Sequence, residues 1–356
     1  MLCLFAALRK SLVCPTKPGK AEQRNPRDWA NSEGVHPEET SIENEFSYEE
    51  RLGPTSWKQR MNFQVYHASD VFSQGRNLFH FENADSLHVL LYTLLKLTGL
   101  YGLGNRQFLD LKTEVVEWAL PDLPPAFDGY RILQLSDLHL DLDTKLTPRI
   151  IESLSKLDYD ICVLTGDFRA ATSGPHDLVV EEMGKIYPHI KAPCFAILGN
   201  HDFIEEVAEL EALGINFLLN ENVELQLEED EASIHLVGID DSSFYETENF
   251  ERAIGNIDDA AFKILLAHSP DVYRRAASLG FALQLSGHTH GGQICLPGGI
   301  PLLRICRCPA AMIAGRWEHQ GMLGYTSRGT GSCGVPVRFF CPPEITLHTL
   351  RSKADD

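Results

Sequence analysis

Five polar clusters made of metal-binding residue types follow five short apolar segments of the sequence. The apolar segments are residues 131–135, 161–165, 194–198, 263–267 and 281–286. The clusters after them are Asp137-Leu138-His139, Gly166-Asp167, Gly199-Asn200-His201-Asp202, His268 and Gly287-His288-Thr289-His290. Short runs rich in Ile, Leu, Val and Phe are typical of buried strands. Because ligands of open α/β sheets bind beyond the carboxyl ends of the strands, we expect the five clusters to meet at one edge.

Each cluster also has a structural explanation when it is taken alone. Sequences such as Asp137-Leu138-His139 and Gly166-Asp167 are common in turns and helix caps, and His268 fits a histidine of the hydrophobic core. The pair His288 and His290 is harder to explain by packing, because two imidazoles beside glycines at a strand end bury little apolar surface. All five clusters in this order therefore predict a metal centre.

The elements that must position these clusters belong to the α/β class. After Gly129, the apolar runs alternate with amphipathic stretches such as residues 146–157 and 176–187. This alternation predicts crossover units on a sheet that is covered on both faces. Later runs at residues 321–327 and 345–350 have no long helix between them, and they indicate antiparallel additions. We therefore expect a core of two sheets flanked by helices.

The order D-x-H, GD, GNH[DE], H and GHxH resembles that of the calcineurin-like metallophosphoesterases. The flanking sequences SDLHLD, GHTHGGQ and RFFCPPEITLHTL resemble the YkuE/YaeI-like bacterial phosphodiesterase branch of this family. The resemblance covers about two-thirds of the chain, from Gly129 to its C-terminus. It implies a four-layer α/β/β/α sandwich with a binuclear metal centre at the strand ends.

The same resemblance implies a division of the ligands. The first metal takes Asp137, His139 and His290, the second takes Asn200, His268 and His288, and Asp167 bridges the two. The chemistry agrees, since two metals about 3.5–4 Å apart need a shared anionic ligand. Two dications carry +4, and Asp137 with Asp167 supplies −2, which leaves positive charge for a hydroxide and a phosphoryl group. Mixed nitrogen and oxygen ligands favour Mn, Fe or Zn over Mg or Ca.

The resemblance also implies that His201 faces the scissile phosphate and protonates or stabilises the leaving oxygen, a role that suits a reference pKa near working pH. We expect a metal-bridging hydroxide to attack phosphorus. Asp202 either orients His201 as a second catalytic group or caps a helix that begins near Phe203. Ala170 stands where the family pattern GDxx[DE] often has an acid, and Arg169 beside it either binds substrate phosphate or forms a surface ion pair.

The charge of the chain argues against broad binding of nucleic acid. Among 356 residues, 31 Lys and Arg face 50 Asp and Glu, a net charge of −19. Residues 202–259 alone hold 18 acidic residues and one basic residue. Binding along a polyanion requires basic residues that displace counterions, so a DNA nuclease is disfavoured. Nine cysteines in a long chain indicate reduced thiols in a cytoplasmic protein, and we expect Cys306 and Cys308 to be free thiols rather than zinc ligands.

The remainder of the chain divides by composition. Residues 1–60 are predicted to be a flexible polar tail, 61–128 a partly helical extension that packs on the core with a strand near 109–119, and 129–356 the metallophosphoesterase domain. The apolar segment Leu87–Leu103 is predicted to be a buried amphipathic helix, with contact to a membrane surface as the alternative. No transmembrane span is expected.

These observations predict a phosphoesterase that hydrolyses phosphodiester or pyrophosphate-type bonds of a small substrate. An alternative is a lipid-linked substrate, as in the related UDP-diacylglucosamine pyrophosphatases. Another alternative is a catalytically silent scaffold, although such proteins normally lose metal ligands. The natural substrate, the metal pair and the oligomeric state stay open at this point.

Overall fold

The computed structural model describes residues 48–68, 85–172, 174–227 and 232–353. The helices are α1 Pro54–Ala68, α2 Asp85–Leu97, α3 Tyr101–Phe108, α4 Thr147–Leu154, α5 Asp177–Ile186, α6 Glu206–Ala212, α7 Phe250–Ile254 and α8 Tyr273–Ser278. The strands of the first half are β1 Lys112–Leu120, β2 Arg131–Leu135, β3 Ile161–Thr165, β4 Cys194–Ile197, β5 Asn216–Phe217, β6 Glu221–Gln226 and β7 Ser233–Gly238. Those of the second half are β8 Lys263–Leu266, β9 Leu283–Ser286, β10 Cys295–Leu296, β11 Ile300–Pro301, β12 Gly315–His319, β13 Met322–Thr326 and β14 Glu344–Ser352.

Two six-stranded sheets form the centre of the molecule. The first sheet has the strand order β1-β14-β2-β3-β4-β5, and the second has the order β12-β13-β9-β8-β7-β6. Strands β2, β3 and β4 are parallel, as are β7, β8 and β9. The predicted antiparallel additions are confirmed in part: β14 is antiparallel to β2, whereas β13 is parallel to β9 and antiparallel to β12.

The apolar side chains define four layers. Between the sheets, Ile132 and Val163 of the first sheet lie in one cluster with Leu236, Ile264 and Leu285 of the second. On its other face the first sheet packs against α4, α5 and α6, and the second sheet packs against α7 and α8. Burying each such side chain stabilises the fold by about 1.5–3 kcal/mol. The predicted four-layer α/β/β/α sandwich is confirmed.

A chain of buried hydrogen bonds joins the two sheets. Trp118 Nε1 donates to His348 Nδ1 at 3.1 Å, and His348 Nε2 lies 3.0 Å from Gln134 Oε1. Gln134 Nε2 then donates to Thr165 Oγ1 and to the carbonyl oxygen of Ser286, at 3.0 Å each. Because Thr165 and Ser286 end β3 and β9, these bonds fix the strand ends that precede two of the polar clusters.

The predicted polar tail ends earlier than residue 60. Residues 1–47 lie outside the described residues, but residues 48–52 are helical and Leu52 is fully buried. In α1, the Arg60 guanidinium lies 2.6 Å from Asp240 Oδ1 and donates to the carbonyl oxygen of Asp202 at 2.6 Å. Apolar side chains about four residues apart, including Trp57, attach this helical segment to the core.

The prediction that Leu87–Leu103 forms one buried helix is wrong. The segment is divided between α2 and α3 by a turn at Gly99, whose φ is +74°. Leu95 is buried, but Val89 is 66% exposed and Leu97 is 79% exposed. The sequence carries apolar residues around the whole of α2, while the fold covers one side of it. Within the described residues, no helix is long and apolar enough to cross a membrane.

The prediction of free thiols is also wrong at one place. Cys306 and Cys308 form a disulfide, with Cα atoms 5.3 Å apart, a separation that such a bond allows. The intervening residue turns the chain back, and this brings the two side chains together. Other described cysteines, among them Cys162 and Cys295, are outside any disulfide.

Replacing Arg60 by Leu should destabilise the protein by about 3–5 kcal/mol, because it leaves Asp240 buried without its counter-ion. Urea unfolding measures this change, and adding Asp240→Leu should restore part of the lost stability. Lys112→Ala is the matched control, since the Lys112–Asp110 pair is about half exposed and contributes little. Equal effects of Arg60→Leu and Lys112→Ala would contradict the importance of the buried pair.

Stability should fall on acidification in a way that depends on His348. Burial, reinforced by Arg316, lowers the pKa of His348 to about 3, whereas an unfolded histidine titrates near 6.5. The contribution of His348 is therefore full above pH about 6.5 and is lost as the pH falls toward 3, by up to about 1.4 kcal/mol per unit. Urea unfolding between pH about 7.5 and 5 should show a shallower slope for His348→Gln. Equal slopes of stability against pH for the original chain and His348→Gln would disprove the contribution of His348.

Candidate metal centre

The five polar clusters meet at one edge of the sandwich, as the sequence predicts. They follow β2, β3, β4, β8 and β9 directly. In three of the clusters the backbone turns sharply, and five non-glycine residues have a positive φ of 44–69°. These residues are Asp137, His139, Asp167, His288 and His290. Such left-handed conformations cost of order 1–3 kcal/mol each and concentrate at functional sites. The fold therefore holds this edge in a conformation that packing alone would not select.

The first donor group consists of Asp137, His139 and His290. His139 Nε2 and His290 Nε2 lie 3.1 Å apart, and His290 Nε2 lies 3.5 Å from Asp137 Oδ1. His139 Nε2 is also 3.7 Å from Asp167 Oδ2. The donor atoms of the three residues lie within 4.8 Å of one another, so the group could hold a metal ion.

The second donor group surrounds the same oxygen of Asp167. His268 Nε2 lies 3.3 Å from Asp167 Oδ2 and 3.0 Å from Asn200 Oδ1. His288 Nδ1 lies 2.8 Å from Asn200 Oδ1. Asp167, His268 and Asp137 also satisfy the geometry of a metal site. The structure thus brings together all seven predicted ligands, with Asp167 between the two groups.

Burial makes this donor set unusual. Asp137 and Asp167 are at most 2% exposed, and among the described residues neither forms an ion pair with Lys or Arg. Buried carboxylates are normally paired with a cation or a metal ion. Here nitrogen and oxygen donors converge on them without a basic side chain, which is the chemistry of a site for divalent cations such as Mn, Fe or Zn. The residues present fit bound metal.

The ionisation of the site agrees with this assignment. Burial would raise the pKa of Asp167, but His268, His201 and His139 together hold that pKa well below its usual range. Burial, His139 and Arg338 hold the pKa of His290 well below its usual range, so its imidazole is neutral. Burial lowers the pKa of His268, and Asp167 overcomes this effect and raises it to about 10. A metal ion at His268 therefore has to displace a proton.

Backbone carbonyl groups fix three of the imidazoles. The Nδ1 atoms of His139 and His268 lie 2.7 Å from the carbonyl oxygens of Arg169 and Thr165. His201 Nδ1 lies 2.8 Å from the carbonyl oxygen of Ala170. A donor hydrogen on Nδ1 directs the lone pair of Nε2 away from the loop. In each of the three rings, Nε2 is accordingly the nitrogen nearest Asp167, at 4.0 Å in His201.

The structure corrects both roles expected for Asp202. Its carboxylate accepts hydrogen bonds from the backbone N–H groups of Asp167, Phe168 and Gly199 at 2.7–2.8 Å. The partner of the His201 ring is a carbonyl group instead, and α6 begins only at Glu206. Asp202 is fully buried and connects the loops after β3 and β4. The position of an acid directly after a histidine could not reveal this, because two of its partners are backbone N–H groups of another loop.

Both alternatives for Arg169 are also wrong. Its guanidinium is fully buried, and Nη1 lies 2.9 Å from Glu206 Oε1. It also stacks over the Phe203 ring, 4.6 Å from the centroid. Arg169 therefore forms a buried ion pair behind the metal centre and faces neither substrate nor bulk solvent. Arg169 thus supports the loop, next to Ala170, which stands where the family pattern often has an acid.

Two glycines of the motifs leave the space that the carboxylates of Asp137 and Asp167 occupy. A Cβ atom on Gly287 would overlap Asp137 Oδ2 and Ser136 Oγ, and one on Gly199 would overlap Asp167 Oδ1. These contacts are shorter than real Cβ contacts, so any side chain there displaces a donor of the centre. The glycines are required by close approach of two loops.

Two residues beside the centre were missed by the sequence analysis. Arg338 is fully buried, donates to the carbonyl oxygen of His290 at 3.1 Å, and places Nη2 3.1 Å from His290 Nδ1. Cys333 Sγ lies 3.9 Å from His201 Nε2. Both lie in an irregular segment before β14, where the residue types give no signal of a site.

A cavity of about 540 Å³ opens beside His288. Its wall includes Ser242, Ser243, Glu248, Asp271, Arg275 and Arg307. Three buried polar atoms of this wall, Ser242 Oγ, Glu248 Oε2 and Asp271 Oδ1, have no hydrogen-bond partner among the described residues. Burial raises the pKa of Glu248 to about 7. The cavity has the size of a small-molecule site, and it adjoins the metal centre.

Proteins of similar sequence match the part of this chain that holds the five polar clusters. The sequence model of the family described as calcineurin-like phosphoesterase matches residues 130–292, which include every proposed ligand. YkuE of Bacillus subtilis (strain 168), an uncharacterized metallophosphoesterase, is 32% identical over 246 residues, which are 65% of this chain and 82% of YkuE. YkoQ of the same strain, also an uncharacterized metallophosphoesterase, is 29% identical over 258 residues, 69% of this chain and 93% of YkoQ. A transmembrane protein with metallophosphoesterase domain from Danio rerio is 28% identical over 280 residues, 74% of this chain and 62% of that protein.

Gly287→Ala should abolish metal binding while leaving a folded protein, because the new Cβ displaces the Asp137 carboxylate. We expect the metal content of the purified protein, measured by inductively coupled plasma mass spectrometry, to fall about tenfold or more. Gly102→Ala is the matched control, since nothing lies within 4 Å of its added Cβ. Unchanged metal content in a folded Gly287→Ala protein would exclude Asp137 from the centre.

Proposed function

We propose a specific reaction from the following premise: the chain belongs to the calcineurin-like phosphoesterases, a family of metal-dependent hydrolases of phosphoesters. The reaction is hydrolysis of a phosphodiester or pyrophosphate-type bond at a centre of two divalent ions. The observation that carries the proposal is the position of Asp167 Oδ2, which lies 3.3 Å from His268 Nε2 and 3.7 Å from His139 Nε2. One carboxylate oxygen thus faces a donor of each group.

The proposed ligands are those of the two donor groups. Asp137, His139 and His290 would hold one ion, Asn200, His268 and His288 would hold the other, and Asp167 would contact both. When bound, such a pair of ions activates a water and takes up the negative charge of the phosphoryl oxygens. The two buried carboxylates leave net positive charge with two dications, which favours binding of an anionic phosphoryl group.

His201 is proposed to act on the leaving oxygen. Its Nδ1 faces the carbonyl oxygen of Ala170 at 2.8 Å, and Nε2 lies on the side of Asp167 at 4.0 Å. A proton on Nε2 would therefore point toward the centre, where the leaving group departs. Transfer of a proton by a positioned histidine contributes typically about 10²–10⁴-fold to a rate.

The cavity beside His288 supports a substrate with a second substituent on its phosphoryl group. A monoester needs room only for one alcohol, whereas a diester or pyrophosphate extends beyond the ions on both sides. Unpaired polar atoms of Ser242, Glu248 and Asp271 can accept donors of that substituent. Arg275 and Arg307 in the same wall can meet a further anionic group.

A second candidate is a lipid-linked phosphoester. The observation that favours it is the exposure of apolar side chains on α2 and α3, among them Leu94 and Leu97. An acyl chain carried by the substrate would find an apolar surface there. A lipid-linked substrate would place its polar part in the cavity and its phosphate at the ions.

Asp167→Asn should abolish hydrolysis of bis-p-nitrophenyl phosphate by the Mn²⁺-loaded protein, because the amide oxygen is a weaker and uncharged bridge. His201→Ala should lower kcat by about 10²–10⁴-fold and leave the metal content unchanged. Both are measured as p-nitrophenol release, with p-nitrophenyl phosphate as the monoester for comparison. We expect faster turnover of the diester.

His189→Ala is the matched control for His201→Ala, since His189 is an exposed histidine far from the motifs. Turnover that survives Asp167→Asn would rule out the proposed centre. Two bound ions without turnover of either compound would indicate a substrate that needs the cavity contacts. Absence of bound metal would instead support the silent scaffold.

A further inference from the structure

The exposed apolar side chains of this protein are concentrated on one surface. Among the described residues, sixteen large apolar side chains are exposed, and seven of them lie between Val89 and Leu103 on α2, on α3 and in the turn between them. Four more lie at residues 296–303, on the β10–β11 hairpin and directly after it, and another is Phe340. Monomeric proteins rarely leave so many apolar side chains in one patch unless the patch binds something. We call these twelve side chains the apolar face.

The two parts of the apolar face are joined through the segment before β14. Gly104 of α3 packs so closely on this segment that an added Cβ would lie 2.7 Å from the Phe339 ring. On the other side, Cys295 N donates to the carbonyl oxygen of Phe339 at 2.9 Å. Phe340 N donates to Gln107 Oε1 at 3.0 Å. The helices and the hairpin therefore flank this one segment and form a continuous surface.

The charge of this surface is opposite to that of the chain. Residues 86–109 and 293–317 contain no Asp or Glu, although 50 of 356 residues are acidic. At that frequency about seven acidic residues would be expected in these two segments. Exposed cations lie among the apolar side chains, including Lys96, Arg106 and Arg304. Lys96 Nζ lies 3.8 Å from the centroid of the Tyr101 ring, which holds the charge at the face.

We propose that the apolar face binds the surface of an anionic lipid bilayer. Leu97 and Leu303, which are 79% and 60% exposed, would enter the acyl boundary, while Lys96, Arg106 and Arg304 would meet anionic headgroups. A short helix that exposes apolar side chains with basic residues beside them can lie in the plane of the interface, and each basic residue near an anionic leaflet adds attraction. α2 has 13 residues, a length that suits lying on the surface, because spanning takes about 20.

Charge also favours a bilayer over a second copy of the chain. In a two-fold dimer, each face meets the same face of its partner. Lys96, Arg106 and Arg304 of both copies would then approach one another without a compensating acid from either segment. Anionic headgroups neutralise the same residues.

The apolar face adjoins the metal centre through short contacts. Gln293, just before β10, donates from Nε2 to the carbonyl oxygen of Cys333 at 2.9 Å, and Cys333 N donates to Gln293 Oε1 at 2.8 Å. Cys333 Sγ is the atom that lies 3.9 Å from His201 Nε2. Binding to a bilayer would therefore place the centre beside the headgroups. The inference does not rest on the proposed reaction, because vesicle binding is measured without turnover.

The test is cosedimentation of the full-length chain with vesicles of phosphatidylcholine alone or mixed with phosphatidylglycerol. We expect binding to the mixed vesicles that weakens with salt. Leu97→Glu and Leu303→Glu should each weaken it about tenfold or more, because a carboxylate does not enter the apolar layer. Arg106→Glu and Arg304→Glu should weaken binding to the mixed vesicles selectively.

Matched controls come from surfaces outside the apolar face. Val65→Glu on α1 replaces a side chain that is 63% exposed, and Lys156→Glu replaces a lysine that is 66% exposed. Both should bind vesicles as the original chain does. Circular dichroism checks that the variants are folded. Equal binding by Leu97→Glu and Val65→Glu would overturn the proposal, as would a dimer, seen by light scattering, that Leu97→Glu dissociates without any vesicle binding.

Discussion

The feature on which the rest of this structure depends is a carboxylate, Asp167, buried where no Lys or Arg of the described chain neutralises it. A charge in that position is stable only if other groups favour it. The nearby imidazoles favour the charged form of Asp167, and the backbone N–H of His201 donates to Asp167 Oδ1 at 2.9 Å. Asp202 then accepts from the N–H of Asp167 itself. The loops after β3 and β4 are built around this one charge.

That dependence explains why the supporting polar groups are themselves buried. Asp202 connects the two loops, Arg169 pairs with Glu206 behind them, and Arg60 of α1 donates to the carbonyl oxygen of Asp202. Each of these groups is fully buried, and each contacts a partner from another part of the chain. The centre is therefore held by a polar network that reaches the N-terminal helix. Such a network is stable only when its members are all present.

The sequence predicted where the donor residues lie better than it predicted the groups that support them. Strand periodicity and the order of the motifs placed Asp137 through His290 at one edge, because residue type and strand position together decide where ligands lie. Asp202 and Arg169 were misassigned, since the first binds backbone N–H groups of another loop and the second pairs with Glu206 of α6, partners that no local pattern reveals. The helix at Leu87–Leu103 was misjudged for a related reason. Its composition shows that apolar side chains are present, and the tertiary structure decides which of them are covered.

The position of β14 has a consequence for how the chain reaches this structure. β14 lies between β1 and β2, and the bond from Trp118 to His348 joins residues 230 positions apart. Until β14 pairs with β1 and β2, β1 is not connected to the rest of the first sheet. Bringing together residues so far apart in the chain costs conformational entropy before any hydrogen bond forms. Folding rates fall as contacts become less local. A nascent chain that ends before β14 would expose the apolar edges of β1 and β2. We therefore expect the edge that holds the polar clusters to become rigid only after synthesis of the chain is complete.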